Sequence, residues 1–399
     1  MRKAAAFAIA VLACLAALYP VRLALGNSVA AGYGAAASIS LTDGKFKSIV
    51  LQRAAAARGD VMLFGSSEFE ASEGYSTHPY VFFANTNLRV NLVGRAGFHS
   101  LVHAANLGAL GDSLRGKKVV FFLSPQWFTQ DGIDSDTFDA SSSVVQIYGF
   151  LFNPRLSEET KRAFACRFAE ISAKDSHEQF GYAENFCALW AKADAFSQAK
   201  RTALTPFYWV QYQLLLLKDG LKALRFLGTD GNAGEIKEGN TAAKDIDWGA
   251  VLQRTRAEAA AQSGNNPYGM ENGAYEGLKN IAYQKGYRDS LTINPPGQSP
   301  EYGDFQLLLD VCRQEGIEPL IVSVPVNGKW YDFEGVDAGA RQAYYAGVRE
   351  MVRQSGFELA DFSGQEYTDY FLNDPYHLGW IGWAYVDEAV ARYGAENEK

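Results

Sequence analysis

Two short segments of this chain carry residue types that could work together as a nucleophile and its base. The first is Phe64-Gly65-Ser66-Ser67-Glu68. A serine that follows a strand and a glycine can stand at a tight turn with its hydroxyl open to attack a carbonyl. The second, near the other end of the chain, is Asn373-Asp374-Pro375-Tyr376-His377-Leu378. An aspartate three residues before a histidine in a turn lets the carboxylate accept from the imidazole Nδ1–H. Nε2 is then free to take a proton from a serine hydroxyl. Taken singly, both segments are ordinary: Gly-Ser-Ser builds turns, and Asp-Pro-x-His fits the turn before a helix with its histidine satisfied. Chemistry requires a scaffold that brings the two together across about 300 residues.

The elements around them suggest one. Four short apolar runs read as buried parallel strands bounded by turn signals: Val61–Phe64, Val90–Val93, Val119–Leu123 and Leu320–Val324. Phe357–Phe362 is a fifth, weaker strand. Helical patterns at about 98–112, 302–315 and 337–355 separate them. Alternating strand and helix predicts an α/β fold, a doubly wound, mainly parallel five-stranded sheet with ligands at the carboxyl ends of its strands. Between the third and fourth strands, segments 157–171, 184–200, 203–227 and 247–262 have helical periodicity. They read as a helical insertion, about 135–300, within one domain spanning 27–399. Pro206–Leu217 is apolar but only 12 residues long, which favours a buried or amphipathic helix over a membrane span; the other reading is a face resting on the bilayer.

The chain has 399 residues, 48% of them hydrophobic, and a formal net charge of −8. That composition excludes wholesale disorder and gives no basic field for general nucleic-acid binding. Residues 4–19 are free of charge, preceded by Arg2 and Lys3 and followed by Pro20 and Arg22. Sixteen residues rise about 24 Å as a helix, short of the roughly 30 Å hydrocarbon core, and continuation to Gly26 supplies the length. Residues 1–26 are thus either an N-terminal membrane anchor or a signal peptide. Either way, the leading positive charges place the remainder outside the cytoplasm. The exported part then holds 34 basic and 45 acidic residues, a charge of −11. Its three cysteines permit at most one internal disulfide; Cys166–Cys187 is the pair to expect if one forms, but free buried thiols fit better.

A serine after the first strand and Asp-x-x-His before the last helix resemble the layout of the SGNH (GDSL-type) hydrolases. That resemblance implies Ser67 as nucleophile, His377 as base, Asp374 as its orienting acid, and the Gly97 amide as an oxyanion donor. The family's asparagine after strand three is missing: Ser124-Pro125-Gln126-Trp127 stands there, leaving Gln126 to supply an amide. The chain also resembles, more narrowly, the DltD family. The motifs that carry this are Phe-Gly-Ser-Ser-Glu, Ser-Pro-Gln-Trp-Phe (124–128), Asn-Asn-Pro-Tyr-Gly (265–269), Pro-Val-Asn-Gly-Lys-Trp-Tyr (325–331) and Asp-Pro-Tyr-His-Leu-Gly-Trp (374–380). The resemblance implies D-alanyl transfer to teichoic acid at the cell membrane, beside the O-acyltransferase DltB and the carrier protein DltC, with no cofactor. An exported esterase or O-acetyltransferase of a cell-surface polysaccharide would use the same triad. A non-catalytic, membrane-tethered subunit that binds carrier or polymer would not need one.

The remaining candidates have two readings each. Glu68 and Glu70 suit a D-alanyl ammonium or a solvated cap. Trp127, Trp330 and Tyr376 suit a cleft lining or the core. His99 and His103, spaced i,i+4, suit a metal in principle, but no further ligand pattern accompanies them and no metal is expected.

Overall fold

The computed structural model describes residues 18–71, 74–173, 180–229, 231, 239–282 and 291–395. Five strands, β1 (Val61–Phe64), β2 (Val90–Val93), β3 (Lys118–Leu123), β4 (Glu318–Ser323) and β5 (Glu358–Asp361), form one sheet in the order β2-β1-β3-β4-β5. Every pairing is parallel, where the sequence suggested a mainly parallel sheet. This is the flavodoxin-like doubly wound order, in which successive connections run in opposite directions from β1 and β3 and open a crevice at their carboxyl ends.

The strands are continuous apolar runs because both faces of the sheet are covered. Met62, Phe64, Val93, Val119, Phe121 and Ile321 enter one core. Their alternating neighbours Leu63, Leu92, Val120, Phe122, Leu320 and Val322 enter the other. Helices Ile49–Arg58, Ser100–Leu110, Glu301–Glu315 and Ala338–Ser355 contribute to the first core, and Trp380–Ala395 to the second. Left-handed glycines end three of these: Gly59, Gly316 and Gly356.

The segment between β3 and β4 is largely helical, and its apolar residues Phe168, Phe186 and Phe226 belong to the same core as Phe121. One boundary differs from the periodicity. Instead of helices at 184–200 and 203–227, there are Gly181–Ala191 and a 34-residue helix, Ala195–Gly228. The break comes at Asp194, whose side chain accepts from Ser197 N–H at 2.9 Å and starts the long helix as its N-cap. Pro206 then lies inside the helix without ending it. Within the stretch 206–217, Tyr208 and Leu216 are buried, whereas Phe207, Trp209 and Leu214 are exposed, so this stretch is amphipathic.

Among the described residues, no helix is long and apolar enough to cross a membrane. Residues 18–32 are helical, but residues 1–17, which hold most of the expected anchor, lie outside the described part. Cys166, Cys187 and Cys312 are all unbridged.

Candidate active site

The nucleophile loop grows out of β1. Its neighbour β2 is in register with it, Phe64 beside Val93, so the turns after both strands emerge together. They pack so closely that Gly94, at φ +143°, has no room for a side chain: a Cβ there would sit 1.8 Å from the Gly65 carbonyl oxygen. On the other side of the Gly65 carbonyl, His103 Nε2 lies 3.0 Å away and holds it from the buried Ser100–Leu110 helix. Burial pushes the His103 imidazole pKa down to about 3, keeping it neutral and suited to donating that bond.

The two serines are sorted by their partners. Ser66 is buried, its hydroxyl donates to the Arg95 carbonyl at 3.2 Å, and its amide donates to Glu68 Oε1 at 2.7 Å. Ser67 is half-buried and its Oγ lies 2.7 Å from His377 Nε2. His377 Nδ1 in turn lies 2.5 Å from Asp374 Oδ2. A carboxylate can only accept there, so Nδ1 carries the hydrogen and Nε2 presents a lone pair to the serine. Asp374 is itself held: its Oδ1 accepts from the amides of Tyr376 and His377 at 2.9 and 2.8 Å.

Burial pulls the His377 pKa down, but the Asp374 charge, its hydrogen bond and the charges of Glu68 and Glu70 outweigh that. The net direction is upward. Glu68 is buried, and desolvation raises its carboxyl pKa. Its Oε1 is committed to the Ser66 amide, so it shapes the nucleophile turn. Glu70 is exposed, and its Oε2 accepts from Ala96 N–H at 2.8 Å, tying the β1 loop to the β2 loop.

Neither the Ser67 amide nor the Gly97 amide donates a hydrogen bond among the described residues. Gly97 has φ +87°, and a Cβ there would meet Thr137 Cγ2 at 2.6 Å. Gln126 is half-buried in the short turn Pro125–Trp127 after β3.

Of the two readings for Trp127 and Trp330, cleft or core, both side chains take the core. Trp127 is 2% exposed and stacked on His99 with ring centroids 5.2 Å apart; Trp330 is 1% exposed against Tyr268. Tyr376 is half-buried, edge-on to the His377 ring at 4.7 Å. His99 and His103 do not converge on one point: Nδ1 of His99 is 3.3 Å from Glu301 Oε2, and His103 is spent on Gly65.

The loop that carries Asp374 and His377 is built by residues that the sequence reasoning passed over. Asn373 N–H donates to the His377 carbonyl at 2.9 Å and closes the loop on itself, and Leu372 pairs with Leu378 across it. The Asn373 side chain donates to the Ala71 carbonyl at 3.2 Å, joining this loop to the segment after the nucleophile. Glu271 N–H donates to the Asn373 carbonyl and Asn327 N–H to the Pro375 carbonyl, each at 2.8 Å. The Asn327 side chain reaches the Tyr268 carbonyl at 3.0 Å. The motifs around 265–269, 325–331 and 374–380 are thus one hydrogen-bonded support. The available signal was asparagine in or beside each motif, at Asn265, Asn266, Asn327 and Asn373, a residue that satisfies loop backbone.

Comparison with known proteins gives the family. A family model described as DltD protein matches residues 38–395. A protein DltD of Bacillus subtilis (strain 168) is 34% identical over 333 residues, covering 83% of this chain and 81% of the relative. A protein DltD of Staphylococcus aureus (strain NCTC 8325 / PS 47) is 30% identical over 333 residues, 83% of this chain and 80% of its own. One of Lacticaseibacillus rhamnosus is 29% identical over 387 residues, 94% and 87% of the two chains. With a family match across nearly all of the described residues, and relatives aligned over four fifths or more of their own length, the chain belongs to the DltD family.

Proposed function

We propose that this protein is a serine acyltransferase that esterifies teichoic-acid hydroxyls with D-alanine at the outer face of the membrane. The observation that carries the reading is the continuous relay Ser67 Oγ, His377 Nε2, His377 Nδ1, Asp374 Oδ2, with contacts of 2.7 and 2.5 Å. A subunit that only binds carrier or polymer has no use for a proton path of this kind. In this reading, following the family resemblance, D-alanine is the acyl group, teichoic acid the acceptor class, and DltB and DltC the proposed partners.

In this mechanism Ser67 Oγ attacks the D-alanyl carbonyl while His377 Nε2 takes the hydroxyl proton. The tetrahedral oxyanion lies against the uncommitted Ser67 and Gly97 amides, with Gln126 positioned after β3 as a third donor. The bond to the donor's leaving group breaks and His377 returns the proton to it, leaving a Ser67 ester. A polymer hydroxyl then attacks that ester, again giving its proton to His377, which passes it back to Ser67 as the new ester departs. Asp374 fixes the imidazole and stabilises its charged form throughout.

Membrane tethering rests on the sequence of residues 1–26 and on what adjoins it. The 18–32 helix packs beside Ala195–Gly228, through Arg22 on Gln213 and Leu25 against Gly220. Tyr19, Val21 and Leu23 on the first helix and Phe207, Trp209 and Leu214 on the second are exposed. Aromatic and aliphatic groups of this kind suit a bilayer interface.

The test is Ser67→Ala. Mass spectrometry of the wild-type protein after incubation with a D-alanyl thioester is expected to show an acyl adduct on the Ser67 peptide, absent from the variant. Cells carrying the variant are expected to lose ester-linked D-alanine from the wall. Undiminished D-alanine in those cells would overturn the acyl-enzyme reading.

A further inference from the structure

A cavity of about 440 Å³ is bounded by Asp43, Lys47, Ser142, Ser143, Lys218, Asp219 and Lys222 among others. That volume is within the roughly 300–1,000 Å³ typical of small-molecule sites. Two contacts tie its wall to the loop after β2. Ser141, next to Ser142, donates its hydroxyl to the Gly97 carbonyl at 3.2 Å. Arg95, whose carbonyl holds Ser66, pairs with Asp43 at 2.7 Å.

The charges in this cavity are unevenly satisfied. Asp43 is occupied by Arg95, and Asp219, buried, accepts from Val50 N–H at 3.1 Å. Lys47, Lys218 and Lys222 make no salt bridge among the described residues. Ser142 is 4% exposed, and its hydroxyl has no hydrogen-bond partner among the described residues. Two exposed lysines without a salt bridge, Lys218 and Lys222, a third, Lys47, that feels Asp43 and Asp139, and one orphaned buried hydroxyl around a single cavity suit a ligand with several acceptor oxygens and a negative charge. A carboxylate offers two oxygens; a phosphodiester, with one negative charge shared over two non-bridging oxygens and two bridging oxygens beside them, can meet a wider spread of donors.

We propose that this cavity is a phosphodiester-binding subsite that holds the acceptor next to Ser67. The proposal deepens the reading of the protein as a teichoic-acid acyltransferase and rests on it for the acceptor's identity, though not for the site itself. It also explains how a chain of net charge −8 can engage a polyanion: the attraction is local, in three lysines of one cavity. The same chemistry is offered by polymer phosphodiesters and by phospholipid headgroups, and the two sources separate experimentally.

The experiment uses the full chain in detergent micelles, titrated calorimetrically with glycerophosphoglycerol. A parallel arm measures the same chain on vesicles of phosphatidylcholine with and without phosphatidylglycerol. Wild-type protein is expected to bind the soluble diester, and Lys218→Gln/Lys222→Gln to bind it about tenfold or more weakly, the loss of one to two charged hydrogen bonds. Lys218→Arg/Lys222→Arg is expected to retain binding, and so is Lys200→Gln, an exposed position on the same helix outside the cavity. Dependence on the two lysines seen only with phosphatidylglycerol vesicles would keep the subsite and assign it to a lipid headgroup. Equal affinity of the glutamine variant and wild type in both arms, or no wild-type binding in either, would overturn the proposal. Ser67→Ala is expected to bind the diester as wild type does, so a failure of the acyl-enzyme reading leaves this result standing.

Discussion

Replacing Asp374 with asparagine removes a charge while preserving the side chain's shape, and the surrounding hydrogen bonds dictate how the amide must sit. In the wild type, Oδ1 accepts from the Tyr376 and His377 amides at 2.9 and 2.8 Å, while Oδ2 faces His377 Nδ1 at 2.5 Å. Asparagine satisfies the two amides only with its oxygen at the Oδ1 position. Its NH₂ group then points at His377 Nδ1, which must become the acceptor, and the imidazole hydrogen moves to Nε2. In that tautomer Nε2 donates to Ser67 instead of accepting from it, and the base is lost. Flipping the amide to restore the tautomer would set NH₂ against two N–H groups. Leaving both unsatisfied costs about 1–3 kcal/mol each, so roughly 2–6 kcal/mol in all. At about 1.36 kcal/mol per tenfold, acylation is expected to slow by between roughly 30-fold and 10⁴-fold. The assay is the single-turnover rate of Ser67 adduct formation from a D-alanyl thioester, measured from pH 5.5 to 9.

The pH profile carries a second sign. The base works when neutral, and His377 is held above its ordinary value of 6.5, with Asp374 the leading cause that raises it. Wild-type acylation is therefore expected to rise with pH through a midpoint above 6.5 and then level off. In Asp374→Asn the residual rate should titrate at a lower pH, because the stabilising charge is gone. A variant that acylates within threefold of wild type, with an unshifted midpoint, would refute the tautomer argument.

Two further substitutions test how the site is supported. Gly94→Ala forces a side chain into a position at φ +143° whose Cβ would lie 1.8 Å from the Gly65 carbonyl oxygen; a cost of about 4 kcal/mol or more is expected, read as a fall in thermal midpoint or failure to accumulate as folded protein. Trp127→Ala removes a 2%-exposed indole stacked on His99. It is expected to cost about 3–5 kcal/mol in denaturant unfolding, and a raised KM at unchanged stability would return Trp127 to the cleft.

What was legible in the sequence was whatever has a local cause. The strands at 61–64 and 90–93 end where the apolar runs end, and β3, β4 and β5 differ from their readings by at most two residues at either end. Buried parallel strands cannot include polar side chains without partners, so composition marks them. The helix break at residues 192–194 was hidden because an N-cap aspartate has the same letter as any surface acid. Ile49–Arg58 escaped notice because its apolar residues are mostly alanine and it is buried on more than one side, leaving little amphipathic contrast.

The site divides along the same line. Residue types and short spacing alone pointed to Asp374 and His377 as a pair, since three residues in a turn put a carboxylate beside an imidazole. Residue types alone did not choose between Ser66 and Ser67, or between cleft and core for Trp127 and Trp330. Those outcomes depend on what comes from elsewhere in the chain: the Arg95 carbonyl that occupies Ser66, the histidine 310 positions away that faces Ser67, and the His99 and Tyr268 rings that pack on the two indoles. The five lysines and serines of the cavity are likewise scattered from residue 47 to residue 222. Side-chain identity sets which groups can accept, donate or carry charge. Only the tertiary structure sets which of those groups are already spent on the protein and which are left for a substrate.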